Sequence, residues 1–504
     1  MLQFFVRVWR RIYGYFCLVP QQPALLYCMK HIVLIVCIFF AAVGVGQPPD
    51  VFFSKFGGSE KEVGYSAIEI PYRKYAVIGT TTSFGVGGTD AYLILVDSMG
   101  KSQWQKTFGG PSTDVGKSIV YVDSDSGFVF VGYRSPQAGG YDVWAVRVDK
   151  DGNKIWEESY DFGEWEFGNE CIRDGDGDII ICGSIDIGPY GEVDGLLMKV
   201  KMEDGSIIWS KMYGGSKEDE LTRVSLDKNG HIIAGGNSSS YGDINSDFWF
   251  LKIDGSTGDS LMTTVMGNSN KAEWMYDFII DNQDNFVLAG SYDTSALNVG
   301  KNVSYLYKVD SNFGFISDTI YDGKGNDEKF RAICTSKVVD YYILARSIYQ
   351  TNGATDLQVM KLLYDYQFVD AKDHGDLKDD EGLHIISTSD NGVAISGYRS
   401  DDFTGQPDLY LLKLDLALTY APIVSAVPSM ESKSGSCYIY ENRIFIRNPS
   451  LKSLKYTIFD VYGRSIAEGQ AIDSVIILNP NLKTGIYVII IDSEIPQRLK
   501  FQIN

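Results

Sequence analysis

One extended phrase recurs seven times at an almost constant interval, and it constrains the fold of this 504-residue chain more than any other feature. It reads DAYLILVD from Asp90, DVWAVRVD from Asp142, DGLLMKV from Asp194 and DFWFLKID from Asp247, then VSYLYKVD from Val303, DLQVMKL from Asp356 and DLYLLKLD from Asp408. The steps between copies are 52, 52, 53, 56, 53 and 52 residues. A strand-forming phrase at this spacing belongs to a unit that cannot bury its apolar face alone and must pack on copies of itself. Strand-built repeats of roughly 40–50 residues close into β-propellers. The expectation is an all-β chain with a seven-bladed β-propeller over residues 47–417.

Other markers keep the same beat. A Gly closing a W/F-x-x-x-F/Y-G-G phrase falls at Gly58, Gly110, Gly163, Gly215, Gly267, Gly323 and Gly375. An acid follows four residues later in five copies, at Glu62, Asp114, Asp219, Asp327 and Asp379. A second Gly ends a short apolar run at Gly79, Gly132, Gly183, Gly235, Gly290 and Gly397, with Arg346 in its place in the sixth copy. This Gly suits a place where strands crowd near the axis. In the copy from Asp142, VWAVRVD alternates as a strand, DKDGN turns and KIWEESY returns, and CIRD and IIICG supply two further strands. The recurrent Asp opening the third strand could ring a channel. It more simply accepts hydrogen bonds from turn amides in every blade. Val303, replacing that Asp, and Arg346 are the irregular positions.

The two ends of the repeat region are complementary. The first begins with the return strand VFFSKFGG at Val51–Gly58, and the last finishes with the opening strand DLYLLKLD at Asp408–Asp415. Pairing them completes the seventh blade and removes two exposed strand edges.

The formal charge is −20. The first 46 residues contribute Arg7, Arg10, Arg11 and Lys30 and no acids, so the remainder is more acidic still. Such a surface lacks the basic patches that nucleic acid or an anionic membrane would require. Met29-Lys30-His31 precedes the apolar run Ile32–Gly46, and Gln47-Pro48-Pro49 follows. This is the layout of a secretory signal cleaved after Gly46. The run is short for a membrane anchor, so no span is expected in the mature protein. Residues 1–28 do not fit the layout, which places the start of translation at Met29. Cys37, behind Val36, is a poor candidate for lipid modification. Of the seven cysteines, Cys171, Cys182, Cys334 and Cys437 remain after cleavage. A hairpin turn near Asp176 would set Cys171 and Cys182 across from each other, as two free thiols or as a bridge permitted by an exported setting.

After Asp415 the period stops. Residues 418–436 read as a linker carrying Pro422 and Pro428, and residues 437–504 as a compact β module. Three of its elements are IFDVYGR at Ile458–Arg464, the stretch Leu478–Ile489 with Gly485 and Tyr487, and the basic-apolar ending at Lys500-Phe501. They resemble the C-terminal sorting domain of proteins exported by the type IX secretion system, a small Ig-like β-sandwich. The nearest match to that domain's usual opening is Val427-Pro428-Ser429. The resemblance implies a Gram-negative envelope, the type IX secretion machinery as partner, and a secreted or cell-surface destination. The seven repeats resemble the Trp/Phe-Gly-Gly propeller repeats of bacterial secreted proteins, a likeness that implies no activity.

Candidate chemistry is sparse. His231, His374 and His384 stand apart in sequence and read as single exposed side chains, without a nucleophile motif around them. Asp174-Gly-Asp176-Gly-Asp178 and Asp149-x-Asp151-Gly-Asn153 have the alternating acids of a calcium loop, but Ile185 and Tyr160 stand where a twelfth-position Glu would be. Hairpin turns explain both better, with calcium as the minor alternative and no other cofactor expected. Trp165, Tyr190 and Trp274 lie in irregular segments where they could stack on sugar rings or pack between blades. The composition favours a non-catalytic propeller that binds a glycan, a peptide or an envelope protein. The alternatives are a polysaccharide hydrolase or lyase using channel carboxylates, and a purely structural adhesion-layer protein.

Overall fold

A computed structural model describes residues 51–419, apart from 137–138, 164, 187, 243–245, 268–270, 295–300, 323–326, 351–353, 376–377 and 401–404, together with the strands between 437 and 503. The first blade is built from β2 (Glu62–Ile70), β3 (Lys74–Thr81), β4 (Asp90–Val96) and β5 (Ser102–Phe108), hydrogen-bonded in that order from the axis outward. The pattern repeats through six four-stranded antiparallel sheets. The seventh sheet joins β26 (Asp380–Ser387), β27 (Val393–Ser400) and β28 (Pro407–Leu414) to β1 (Phe52–Phe56), the first strand of the ring. Register runs from Phe52 opposite Lys413 to Phe56 opposite Leu409, as the complementary ends require. The chain therefore forms an all-β, seven-bladed propeller closed by its own first strand. The apparent signal and residues 1–46 lie outside the described residues. Among the described residues no helix is long and apolar enough to cross a membrane.

Each repeated residue has a distinct mechanical task. In every blade the innermost strand carries a β-bulge, between Gly64 and Ser66 in the first and between Gly382 and His384 in the last. The Gly of the second strand faces that bulge. A Cβ at Gly79 would stand 1.9 Å from the carbonyl oxygen of Val63, and one at Gly183 would stand 1.8 Å from that of Phe167. Its cause is thus contact with the bulged neighbour and not general crowding at the axis. In the fourth blade Gly236, one residue beyond the expected Gly235, fills the role, with a Cβ falling 1.8 Å from the Glu220 carbonyl.

The outer strands clamp each blade to the next. The indole N–H groups of Trp104, Trp156 and Trp209 donate to the carbonyls of Lys150, Met202 and Gly255 at 3.2, 3.0 and 3.2 Å. The Tyr160 and Tyr321 hydroxyls donate to Gly205 and Tyr366 carbonyls at 2.7 and 2.6 Å. This accounts for the spacing of the W-x-x-x-F/Y phrase. The basic residue of the third strand reaches the acid in the hairpin between the first two strands. Arg147–Asp125, Lys252–Asp227, Lys308–Asp281 and Lys413–Asp390 contacts measure 2.7, 2.7, 3.0 and 3.0 Å. Between blades, apolar clusters such as Phe130, Trp144 and Phe128 are wholly buried.

Cys171 and Cys182 do not face each other. The turn at Asp174–Asp178 sets Cys171 opposite Ile181 and Cys182 opposite Glu170. A one-residue offset puts side chains on opposite faces of a sheet. Cys171 accordingly packs with Val129 and Ile181, Cys182 with Trp249, and both are free thiols.

Beyond the ring, β29 (Cys437–Tyr440), β30 (Arg443–Ile446), β31 (Ser453–Asp460), β32 (Ser465–Ile472), β33 (Val475–Ile477), β34 (Gly485–Asp492) and β35 (Gln497–Ile503) pair antiparallel in the order β29-β30-β33-β32-β31-β34-β35.

Closure predicts a large penalty for weakening β1. Phe52, 1% exposed and edge-on to Tyr75 at 5.8 Å, is its anchor. Phe52→Ala should cost about 3–5 kcal/mol, read from the shift of the denaturant midpoint. A loss below about 1 kcal/mol, the scale of an ordinary point change, would show that β1 does not hold the ring.

Candidate functional site

A bulge leaves one residue unpaired and re-aims its side chain. Here the seven unpaired residues are Tyr65, Lys117, Asn169, Thr222, Tyr276, Arg331 and Leu383. All seven line one axial cavity of about 320 Å³. It shares Lys117, Asn169 and Glu220 with a second space of about 440 Å³ bounded by Tyr133, Trp165, Phe167, Ser184, Asp186 and Val193. Together they form a funnel opening at the end of the blades where the inner strands begin.

The spacing that builds the ring is exact in the sequence. Each inner strand starts on or beside a buried acid, at Glu62, Asp114, Glu166, Asp219, Glu273, Glu328 and Asp380, and each unpaired residue lies three positions further on. The acid is thus present in all seven copies. Asp327 and Asp379 are each one residue short of the position, and Glu166 and Glu273 follow loops of other lengths. These carboxylates hold the strand entries. Glu62 accepts the Gly58 N–H at 2.9 Å and the Thr81 hydroxyl at 2.6 Å, Asp114 accepts the Gly110 N–H at 2.7 Å, and Asp219 accepts the Gly215 N–H at 2.6 Å. The third-strand acids do similar work, Asp90 taking the Val86 and Gly87 N–H groups at 3.1 and 3.0 Å.

Just past the bulge, a second ring joins neighbouring blades. Glu170 accepts the Val224 N–H at 2.6 Å, Asp277 the Ile333 N–H at 2.9 Å, and His384 Nδ1 the Ala67 N–H at 3.2 Å, the last across the closure. Arg223 pairs with Asp277 at 3.0 Å. Burial pushes Glu170 up to about 7, against the pull of Arg223, and raises Asp277. Burial holds His384 down at about 3, so its ring is neutral and acts as an acceptor. His374 is also buried and held at about 4, first by burial. Neither is the exposed histidine that loop-like sequence surroundings suggested. His231 is half-buried and bound to Asp227 at 3.0 Å, at the far end of the blade.

The funnel's own charges differ from these. Lys117 lies over the Tyr65 ring at 3.8 Å, and removal from water with Arg223 nearby depresses its ammonium to about 8. Glu220 touches the funnel's water yet is ringed by protein, and burial raises its carboxyl despite Lys117. Trp165, 48% exposed, stands edge-on to Tyr141 at 5.4 Å, and Tyr141 and Phe167 both pack on Tyr133. Trp274 lines the axial cavity. Tyr190, also exposed, is not among the lining residues.

The calcium-like loops lie elsewhere. Lys199 places its ammonium 2.5, 3.4 and 3.9 Å from Asp174, Asp176 and Asp178, supplying within the chain the charge a cation would bring. Asp149 accepts the N–H groups of Asp151 and Asn153 at 2.9 and 2.8 Å, as a turn former does. Asp142, Asp161 and Glu166 bring carboxylate oxygens within 4.8 Å of one another, and Asp161 there accepts the Gly163 N–H at 2.8 Å.

Fold and funnel define the class: a closed seven-bladed propeller with an aromatic, mixed-charge axial site. No protein-family model matches the chain, and no curated protein matches it either. Some solved structures show a weak overall likeness. One is PorZ, a surface component of the type IX secretion system of Porphyromonas gingivalis, at 13% identity and a TM-score of 0.43, covering 89% of this chain and 60% of that one. Another is the polysaccharide lyase Uly1, at 10% identity and 0.47, covering 74% and 93%. A third is the α-L-arabinofuranosidase Arb93A of Fusarium graminearum, at 9% and 0.43, covering 60% and 92%. The chain spans 60% of the length of PorZ. At such identities the likeness concerns the propeller alone.

Two outcomes follow from the charges. The Lys117 side chain should titrate near pH 8, followed by the NMR shift of its ε-carbon, and a midpoint above about 10, the ordinary lysine value, would contradict its desolvated setting. Calcium and chelator should leave the melting temperature unchanged, whereas Lys199→Met, which leaves three carboxylates facing one another, should lower it by several degrees. A rise with calcium in the unsubstituted protein would reverse the assignment.

Proposed function

We propose that this chain is a secreted or cell-surface binding protein, non-catalytic, whose ligand enters the axial funnel. One observation carries the reading. The bulge, its facing Gly and the buried acid recur around the ring for folding, while the unpaired position they expose reads Tyr, Lys, Asn, Thr, Tyr, Arg, Leu. A scaffold alone has no use for six different residue types aimed into one cavity from seven equivalent positions. Rigid aromatic faces with a few fixed polar groups are what a small-molecule or oligosaccharide site requires.

The acids at the neck are not free to act as a hydrolytic pair, and the acids that line the funnel are Glu220 and Asp186. Such a mechanism needs two free acids about 5–9.5 Å apart. Glu170 and Asp277 are held by the next blade's amides, and Glu381 is held by Arg331 at 3.1 Å. Glu220 has no hydrogen bond or ion pair of this kind among the described residues.

The C-terminal strands are read as an Ig-like sorting module for type IX export. The sequence phrases at Ile458–Arg464 and around Gly485 support it. So does a pairing pattern in which β32 meets β33 through one residue pair, Ile472 and Val475, a natural fold line between two sheets. The leader over residues 29–46 fits passage into the periplasm first.

Two experiments test the reading. On a glycan and peptide array, the full chain should capture a ligand class that Trp165→Ala and Trp274→Ala lose at least ten-fold. Capture that neither change affects would remove the funnel as the site. In a Gram-negative host with a working type IX system, deleting residues 437–504 should trap the propeller in the periplasm. Undiminished surface delivery would refute the export route.

A further inference from the structure

Two aromatic–cation pairs of the same design stand in the ring, and they differ in one respect. Arg331 lies over Tyr276 at 4.8 Å, and Lys117 lies over Tyr65 at 3.8 Å, each cation on the blade that follows its aromatic partner. Arg331 is neutralised by Glu381, the residue after the buried acid Asp380 of the next blade. The equivalent residue after Glu166, on the blade that follows Lys117, is Phe167. An apolar ring therefore stands where the carboxylate would be, and Lys117 has no salt bridge among the described residues. A cation pressed on an aromatic face and stripped of water is stabilised by the ring quadrupole but keeps most of its appetite for an anion.

We infer that the funnel takes an acidic glycan, with Lys117 binding the carboxylate of a uronate residue from the space that Trp165 and Phe167 bound, so that the ligand supplies the charge Glu381 supplies to Arg331. This rests on the binding reading above and narrows its ligand. A sugar fits better than another anion because the space beside Lys117 is walled by flat aromatic faces, Trp165 and Phe167, that suit the apolar face of a pyranose ring. Phosphate and sulfate groups prefer the bidentate fork of arginine. The two arginines at the axis, Arg223 and Arg331, are already engaged by Asp277 and Glu381. Asn169 stands on the same surface as Lys117 to meet a ring hydroxyl.

Affinity should fall as pH rises through about 8, because only the protonated amine of Lys117 pairs with a carboxylate. The groups facing it are the Tyr65 and Tyr133 rings and, from the fourth blade, Arg223 and Glu220. Burial raises the Glu220 carboxyl and Lys117 lowers it.

Calorimetric titration of the full chain with tetragalacturonate and with its fully methyl-esterified form tests this. The acid should bind and the ester should bind at least ten-fold more weakly. Lys117→Met should abolish that preference without changing the melting temperature by more than a few degrees, and Trp165→Ala should weaken both sugars. Equal binding of acid and ester, lost in Trp165→Ala, would overturn the uronate assignment while leaving the binding reading intact. Acid binding that is unchanged in Lys117→Met would also overturn it. Absence of any Trp165-dependent binding, here and on the array, would remove both.

Discussion

The β-bulge in each innermost strand is the constraint from which the rest of the propeller follows. It inserts one residue near the axis, bends the strand and brings a carbonyl so close to the second strand that only Gly fits opposite in six blades. The same distortion turns one side chain per blade into the axial cavity and sets the next residue against the neighbouring blade. Fold and site are thus products of one local irregularity. A change that paired the bulge back into the ladder would move the ring of seven side chains out of the cavity.

Charge is distributed in the same economical way. Acids at strand entries bind amides, acids in the hairpins bind third-strand Lys or Arg, and the neck combines Glu170, Arg223, Asp277 and a neutral His384. Several of these carboxylates are held by geometry that recurs or by a neighbour across a blade junction. A chain so acidic can close a ring because much of its inward-facing charge is locally balanced. Lys117 and Glu220 fall outside that balance, and both line the funnel.

The ring, its seven blades and the closing strand were legible from the sequence because a fixed period and complementary ends leave few other topologies. The site was less legible, for a physical reason. Loop lengths before the inner strand vary, so counting four residues from the preceding Gly reaches the entry acid in three copies, at Glu62, Asp114 and Asp219, and stops one residue short at Asp327 and Asp379, whereas counting within the strand finds it in all seven. Glu166 and Glu273 were hidden in this way, and with them the ring position three residues on. Of Trp165, Tyr190 and Trp274, read as aromatics of irregular segments, Trp165 and Trp274 stand instead at the starts of inner strands and line the funnel, whereas Tyr190 does not. His384 misled because an inner-strand residue beside a bulge looks like a loop residue in sequence. The free pair Cys171 and Cys182 misled because symmetry about a turn was taken to one residue too few.

The two breaks in the repeat lie at one blade junction. Val303 removes the third-strand carboxylate from the fifth blade, and Arg346 adds a guanidinium to the sixth where Gly is otherwise needed. Arg346 is buried and pairs with the entry acid Glu328, while its Nε donates to Ser304, the residue after Val303, at 2.9 Å. It also reaches the Tyr321 carbonyl at 2.9 Å and Gln358 at 3.1 Å. At this junction Arg346 balances the buried Glu328 and ties the third strand of the fifth blade to the sixth blade. A buried Arg stripped of its acid would be far more costly than the Gly it replaces, and the dependence runs both ways: restoring Gly at 346 would leave Glu328 buried without its cation and weaken the junction between the fifth and sixth blades.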